Sequence, residues 1–286
     1  MTERDRQRLA LPLYGQQQDD DLSSVPTSGL LVDSYGRRIK NLRISVTDKC
    51  NFRCTYCMPA EGLPWLQKTE ILSYEEITRI SRVAVNLGIE QIRLTGGEPL
   101  VRRDLPELVR QLRTIEGLQS LSMTTNGILL KQQVRALAEA GLTRVNVSLD
   151  SLLREKFSRL TRRDQMDRVI EGLEEIEHYP SVHPIKINAV AIRNFSEEEV
   201  LDFVRFARRK AYVMRWIEFM PLDADQQWRK EDILPGSEIK ALIEAAHGPL
   251  VPVPGDPSET ARRYTFQDGI GEVGFINPVS EPFCAN

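Results

Sequence analysis

Strand-like and helical segments alternate regularly between residues 42 and 219, and this alternation restricts the fold more than any other feature. The strand-like segments, rich in β-branched and aliphatic residues, are 42–47, 91–95, 120–124, 144–149, 185–190 and 213–219. Helically spaced apolar residues separate them, which predicts βαβ units and a parallel sheet. Six units are fewer than the eight of a closed barrel. We therefore predict an α/β fold, a partial (β/α)6 TIM-like barrel.

Two helix starts in this region have the capping-box pattern, in which a serine precedes a glutamate by three residues. The pairs are Ser73 with Glu76 and Ser196 with Glu199. We predict a helix after each pair, with both side chains capping its first turn. Further helices are predicted from residue 104, over 131–140 and over 165–177.

The composition changes at both ends of the barrel region, residues 36–221. Residues 1–35 contain Gln and Asp runs without sustained periodicity, which predicts a disordered N-terminal extension. Residues 222–286 contain several prolines and two short strand-like segments, 263–267 and 272–276, that predict an antiparallel pair. We predict that they form a small C-terminal α+β appendage covering the open side of the barrel.

The overall composition argues against several classes of protein. Hydrophobic residues make up 41% and charged residues 28% of the 286 residues, as in soluble globular proteins. The net charge of −3 gives no support for nucleic-acid binding, and no apolar run is long enough to span a membrane. The first residues lack the apolar segment of a targeting signal. We expect a cytoplasmic protein.

Three of the four cysteines follow the first strand as Cys50-x3-Cys54-x2-Cys57. In a reducing compartment this crowding indicates a metal or redox site rather than disulfides. Three thiols on one loop can hold an iron–sulfur cluster with one iron left open. Structural zinc needs a fourth ligand, which the neighbouring sequence does not offer. The spacing favours a cluster and leaves zinc as the alternative.

Polar sequences follow the next strands as well. They are Gly96-Gly97-Glu98-Pro99, Thr125-Asn126-Gly127, and Ser148 with Asp150. Because the carboxyl ends of parallel strands carry the site in such folds, we predict that these sequences meet the cysteine loop at one mouth of the barrel. The glycine pair would let a small molecule approach the backbone. The sequence contains no P-loop motif, which disfavours a switch GTPase or ATPase.

Together these motifs resemble the radical S-adenosylmethionine superfamily. Longer matches, spread from about Tyr35 to Cys284, are similar to its GTP 3′,8-cyclase family, also called the molybdenum cofactor biosynthesis protein A family. The matching sequences are Thr47-Asp-Lys-Cys-Asn-Phe-Arg-Cys, Arg93-Leu-Thr-Gly-Gly-Glu-Pro-Leu-Val-Arg-Arg103, Thr124-Thr-Asn-Gly127, Asn146-Val-Ser-Leu-Asp150 and Ile217-Glu-Phe-Met-Pro221.

The resemblance implies a [4Fe–4S] cluster on Cys50, Cys54 and Cys57, with S-adenosylmethionine bound to the open iron. It implies cleavage of the sulfonium to a 5′-deoxyadenosyl radical, loss of hydrogen from C3′ of GTP, and attack of C3′ on guanine C8. The product would be (8S)-3′,8-cyclo-7,8-dihydroguanosine 5′-triphosphate, made in the first step of molybdenum cofactor biosynthesis. Since the cofactor supplies the chemistry, we expect neither a Ser/His/Asp triad nor paired catalytic carboxylates.

The resemblance also assigns ligand contacts by position. For S-adenosylmethionine they are Tyr56, Gly97, Ser148 and Met220. For GTP they are Arg43, Arg93, Thr124 and Lys186. The three cations lie in or beside strands, so together they would give a barrel interior that can neutralise a triphosphate. We interpret Glu98 and Glu218 as ligand-orienting or structural.

The chain departs from the family pattern near its C-terminus. The family carries a second three-cysteine cluster that begins Phe-Cys-x2-Cys, followed by a basic Arg-x-Arg stretch that contacts GTP. Here Phe283-Cys284 matches the first ligand, and the sequence stops two residues later. We therefore expect a C-terminally truncated chain with an incomplete second [4Fe–4S] site, able to cleave S-adenosylmethionine but a poor GTP cyclase.

The expected partners are GTP, a flavodoxin- or ferredoxin-type electron donor, and the next enzyme of the pathway, which would receive the product. Family members are often homodimers, and neither nucleic acid nor a membrane is an expected partner. Two alternatives stay open. One is another radical S-adenosylmethionine enzyme, such as one that modifies a peptide, and the other is a non-catalytic binding module stabilised by zinc.

Overall fold

The computed structural model describes residues 29–33, 35–222, 227–255 and 259–281. Its strands are β1 (Asn41–Ser45), β2 (Gln91–Thr95), β3 (Ser120–Thr125), β4 (Arg144–Ser148), β5 (Ile185–Ala191), β6 (Val213–Glu218), β7 (Val251–Pro252), β8 (Arg262–Thr265) and β9 (Glu272–Ile276). Its α-helices are α1 (Tyr74–Asn86), α2 (Leu105–Arg113), α3 (Leu130–Ala140), α4 (Arg154–Thr161), α5 (Met166–Ile176), α6 (Val200–Lys210) and α7 (Gly236–His247). Short 3-10 turns cover Lys68–Glu70, Pro99–Val101, Glu197–Glu199 and Lys230–Asp232.

The strands form one sheet in the order β1-β2-β3-β4-β5-β6-β9-β8-β7. The first six pair in parallel in chain order, and β9 adds in parallel to β6. The antiparallel pair of β8 with β9 agrees with the sequence. This arrangement confirms the predicted partial (β/α)6 barrel. It also shows that strands from the C-terminal part continue the barrel sheet.

The two faces of the sheet differ sharply in chemistry. In β5, the buried Ile185, Ile187 and Ala189 alternate with Lys186 and Asn188, which line a central cavity. Alternate residues of a barrel strand face inside and outside, so the apolar set packs under the helices. Helix residues complete that layer: Leu108, Leu112, Leu137, Val169 and Leu173 are all buried. The barrel therefore has an apolar outer core and a polar interior.

One of the two predicted capping boxes is present and the other is wrong. Ser73 Oγ accepts from Glu76 N at 3.1 Å, and Glu76 Oε2 accepts from Ser73 N at 2.7 Å. Ser196 Oγ instead accepts from Ile192 N at 3.1 Å, and α6 begins only at Val200. Glu199 is buried and accepts from Ser151 Oγ at 2.8 Å. Both side chains of the second pair thus stabilise neighbouring loops, which local sequence could not reveal.

Two further sequence expectations concern the N-terminal extension and the lack of a membrane-spanning segment. The predicted extension over 1–35 lies mainly outside the described residues. Near its end, Leu31 N donates to Leu87 O at 2.9 Å, just after α1. Among the described helices, none has both the length and the apolar character needed to cross a membrane.

Candidate active site

The cysteine loop, residues 46–59, connects β1 to the segment before α1. Cys50 and Cys54 are half-buried and pack against the core, whereas Cys57 is exposed; none of the three is in a disulfide. The loop is folded by its own backbone, since Cys57 N donates to Cys54 O at 2.9 Å. Partial desolvation of the sulfur atoms by the surrounding protein raises the pKa of all three thiols, that of the more exposed Cys57 included. A bound cation would reverse this effect by stabilising the thiolates.

The donor set of this loop fits an iron–sulfur cluster better than zinc. The loop offers three thiols, those of Cys50, Cys54 and Cys57. Structural zinc requires four ligands on a single ion, whereas the thiolates of a cluster bind separate iron atoms. Three unpaired thiols on one short loop therefore suit a cluster, with one iron left for another ligand.

The predicted convergence of strand ends is confirmed around Glu98. Its buried carboxylate accepts from Thr125 Oγ1 and Asn126 N, both at 2.6 Å, and its own N donates to Lys49 O at 2.8 Å. Asn126 Nδ2 donates to Asn51 Oδ1 at 2.7 Å. Burial raises the pKa of Glu98 to about 7. Glu98 thus ties the ends of β2 and β3 to the cysteine loop, a structural role.

A second link joins the cysteine loop to the far side of the mouth. Tyr56 Oη donates to Asp150 Oδ2 at 2.8 Å, and Asp150 Oδ1 accepts from Val190 N at 2.8 Å. Asp150 is buried, and this burial raises its pKa to about 6. Tyr56 and Ser148 both line the central cavity. The loop that carries the thiols is therefore fastened across the barrel mouth.

Gly97 lies where its backbone meets that of the cysteine loop. Its N donates to Thr47 O at 2.7 Å. A Cβ at this position would lie 2.4 Å from Lys49 O and 2.6 Å from Asp48 O, both backbone atoms. Only glycine fits here without displacing the loop.

We expect Gly97→Ala to lower the free energy of unfolding by about 1–3 kcal/mol, since overpacking forces the backbone to shift. Denaturant unfolding followed by circular dichroism measures the change. Gly255→Ala is the matched control, because among the described residues a Cβ there would meet the ends of the flexible Glu259 and Arg263 side chains, which can move aside. Equal free energies of unfolding for the two variants would contradict this prediction and show that the cysteine loop can shift at little energetic cost.

A cavity of about 600 Å³, the barrel cavity, fills the space inside the strands. All four predicted GTP contacts, Arg43, Arg93, Thr124 and Lys186, line it. Arg43 and Arg93 are register partners on β1 and β2. The structure thus brings this predicted set together, and the ligand that the four residues bind stays a prediction.

The predicted cofactor contacts are more dispersed. Tyr56 and Ser148 line the barrel cavity, and Gly97 lies at the mouth against the cysteine loop. Met220 is half-buried just after β6 and is not among the described residues that line the cavity. Cys284 lies outside the described residues.

Four cations in the described lining of the cavity were missed from the sequence, among them Arg144 and Arg215. Arg144 donates to Gln91 Oε1 at 2.8 Å, and Arg215 Nε donates to Asn188 Oδ1 at 2.9 Å. Both arginines line the barrel cavity. Strand alternation could have found Arg144, because it stands two residues before Asn146 and four before Ser148 on the same face.

The cavity cations perturb one another. Burial lowers the pKa of Arg93 to about 10, with further contributions from Arg43 and Arg144. Burial also lowers the pKa of Lys186 to about 8, and nearby Arg215 adds to this effect. Within the described part of the chain, the hydrogen-bond partners of Arg93, Arg144 and Arg215 are neutral groups. Glu259 and Glu272 also line the cavity and offset part of the repulsion, since they favour the charged forms of Arg144 and Arg215 respectively. A polyanion would relieve this repulsion.

A further buried carboxylate near the site, that of Glu218, is structural, in agreement with the sequence interpretation. Glu218, at the end of β6, accepts from Val279 N at 3.0 Å and from Ser280 N at 2.9 Å. It therefore fastens the segment after β9 to the barrel. Neither Glu98 nor Glu218 is placed as a general acid or base.

Sequence comparison identifies two family models along the chain. Residues 44–207 match the Radical SAM superfamily, and residues 212–286 match Molybdenum Cofactor Synthesis C. The GTP 3′,8-cyclase of Rhodopirellula baltica is 45% identical over 260 residues, covering 90% of this chain and 72% of that protein. The chain belongs to the GTP 3′,8-cyclase family of radical SAM proteins. The predicted family is thereby confirmed.

Other GTP 3′,8-cyclases are similarly related to this chain. The enzyme of Alkaliphilus oremlandii is 42% identical, with 89% of this chain and 78% of that protein covered. The mitochondrial enzyme of Arabidopsis thaliana is 39% identical, with 98% of this chain and 71% of that protein covered. Membership of the radical SAM superfamily implies a [4Fe–4S] cluster and S-adenosylmethionine.

Solved structures share the fold of this GTP 3′,8-cyclase family member. Streptococcus suis SuiB bound to the precursor peptide SuiA superposes with a TM-score of 0.60 at 21% identity, over 72% of this chain and 44% of SuiB. The protein anSMEcpe with bound AdoMet gives a TM-score of 0.55 at 19% identity, over 72% of this chain and 56% of that chain. At these identities the similarity concerns the fold alone.

Proposed function

We propose that the protein converts GTP to (8S)-3′,8-cyclo-7,8-dihydroguanosine 5′-triphosphate, the first step of molybdenum cofactor biosynthesis. One observation carries this proposal: a loop of three thiols lies at the mouth of a cavity whose interior is lined with cations. A radical-forming site and a polyanion site are thus joined by one space. The relatedness to GTP 3′,8-cyclases supports GTP as the polyanion.

Cys50, Cys54 and Cys57 would hold the [4Fe–4S] cluster, and S-adenosylmethionine would lie against Tyr56, Gly97, Ser148 and Met220. When bound, this pair supplies a 5′-deoxyadenosyl radical that can remove a hydrogen atom from the GTP ribose. The Tyr56–Asp150 and Glu98 links keep the loop in place at the cavity mouth. The protein's part in the chemistry is therefore orientation and exclusion of water.

The cavity cations would bind the triphosphate. Arg43, Arg93 and Lys186 are the contacts expected from the family pattern, and Arg144 and Arg215 extend the same surface. Arginine presents a planar fork suited to phosphate oxygens, whereas lysine supplies a point charge. Thr124 adds a hydroxyl to the same lining. The triphosphate would hold the ribose towards the cysteine loop.

We propose a matching division of the chain. Residues 36–221 would form the radical-generating barrel, and residues 222–286 would close its side, as the pairing of β9 with β6 supports. Cys284 would be a ligand of a second cluster. A flavodoxin- or ferredoxin-type donor would supply the electron, and the next enzyme of the pathway would receive the product. A cytoplasmic location and a homodimer complete this proposal.

Anaerobic reconstitution with iron and sulfide, followed by reduction, tests the function. With S-adenosylmethionine and GTP deuterated at C3′, we expect 5′-deoxyadenosine that carries the deuterium, together with the cyclised nucleotide in the low yield anticipated from the sequence. Unlabelled GTP is the control for exchange with solvent. Deuterium-free 5′-deoxyadenosine without a cyclised nucleotide would contradict the proposal and favour a different radical reaction.

A further inference from the structure

Asn146 lies in β4 on the same strand face as Arg144 and Ser148, buried beneath the lining of the barrel cavity, and joins two groups that line it. Its Nδ2 donates to Thr124 Oγ1 at 3.2 Å, and its Oδ1 accepts from a terminal nitrogen of Arg215 at 2.9 Å. Asn146 is 3% exposed and is not among the described residues that line the cavity. Any influence on a cavity ligand must therefore pass through these two neighbours.

The orientation of the Asn146 amide follows from the chemistry of arginine. A guanidinium has donors and no acceptor, so the amide oxygen must face Arg215. The amide nitrogen then faces Thr124, whose oxygen accepts its hydrogen bond. The Thr124 hydroxyl keeps its own hydrogen free to donate. One amide thus makes both neighbours donors towards the cavity.

Arg215 is held at three points. Besides Asn146, its Nε donates to Asn188 Oδ1 at 2.9 Å. Across the sheet it faces Gly274, where a Cβ would lie only 3.2 Å from Arg215 Cγ. Arg215 is 8% exposed, so its side chain has little freedom. The two asparagine bonds leave other guanidinium N–H groups without a partner among the described residues, and these can serve a ligand.

We propose that Asn146 is a positioning residue for the triphosphate of GTP, presenting the Thr124 hydroxyl and the Arg215 guanidinium together as preorganised donors. This inference rests on the proposed binding of GTP. An aspartate in the same place would accept from both neighbours. It would turn the Thr124 hydroxyl away from the cavity and neutralise Arg215.

The test compares wild-type holoenzyme with Asn146→Asp by anaerobic calorimetry, using GTP, inorganic triphosphate and guanosine as separate probes. We expect GTP and inorganic triphosphate to bind the variant at least about tenfold more weakly, as loss of charge-assisted hydrogen bonds predicts. Guanosine affinity should be unchanged. Asn146→Ala, which removes both contacts without adding charge, should give a smaller loss with the same selectivity.

Asn194→Asp is the charge control, because it adds the same negative charge on an exposed loop outside the cavity. Wild-type GTP affinity in both Asn146 variants would overturn the inference. So would an equal loss of GTP and guanosine affinity, which would indicate a merely structural role. Absence of GTP binding by the wild type would instead overturn the proposed function, and this inference with it.

Discussion

Replacing Cys54 by alanine is expected to remove bound iron and sulfide and to reduce 5′-deoxyadenosine formation to background. Cys54 lies between the other two cysteines in the sequence and is half-buried, and its backbone carbonyl accepts from Cys57 N. A cluster left with two protein thiolates would lose one of three anchors. Mutation of a residue that only hydrogen-bonds to a metal ligand typically lowers the metal affinity about 10- to 100-fold. Loss of Cys54, a direct ligand, should therefore lower the affinity for the cluster by more than about a hundredfold.

Iron and sulfide analysis after anaerobic reconstitution measures this loss. Thr55→Ala is the matched control, since Thr55 bonds Leu160 O through its backbone and offers no thiol. GTP affinity should be similar in both variants, because the cavity cations do not depend on the thiols. Full retention of iron and sulfide by Cys54→Ala would contradict the assignment of the cysteine loop.

The order of the strands was predictable because it depends on local patterns. Alternating β-branched residues and intervening helical periodicity are each encoded within about ten residues. The convergence at the barrel mouth then followed from topology, as the Glu98 bonds to Thr125 and Asn126 confirm. The inclusion of β9 beside β6 was not predicted, because 53 residues lie between the end of β6 and the start of β9 and no local pattern specifies their pairing.

The polar network inside the barrel was only partly predictable. Arg43, Arg93 and Lys186 came from family motifs, while Arg215 and the partner role of Asn146 require knowledge of which strand face is internal. The second capping box failed for a related reason. The Glu199 carboxylate accepts a hydrogen bond from Ser151, a residue 48 positions earlier. A four-residue motif contains no information about so distant a partner.

The affinity for GTP should fall as pH rises through about 8, because Lys186 loses its charge there. Burial is the main cause of its low pKa, and the surrounding groups Arg215, Glu272, Arg144 and Arg263 modify it. A bound triphosphate favours the ammonium, so binding takes up a proton when the free enzyme is deprotonated. Because binding is linked to one proton on Lys186, the affinity for GTP should fall by at most about tenfold for each pH unit above this pKa.

Calorimetry between pH 7 and 9.5 with three proteins separates the contribution of Lys186 from other effects. Lys186→Met should bind GTP about 10- to 150-fold more weakly at pH 7, equivalent to a charged hydrogen bond of about 1.5–3 kcal/mol. Lys186→Arg should keep most of the affinity and lose the dependence on pH, since a guanidinium stays protonated. Titration of GTP itself would affect all three proteins alike. A pH profile of Lys186→Arg that matches the wild type would therefore exclude Lys186 as the titrating group.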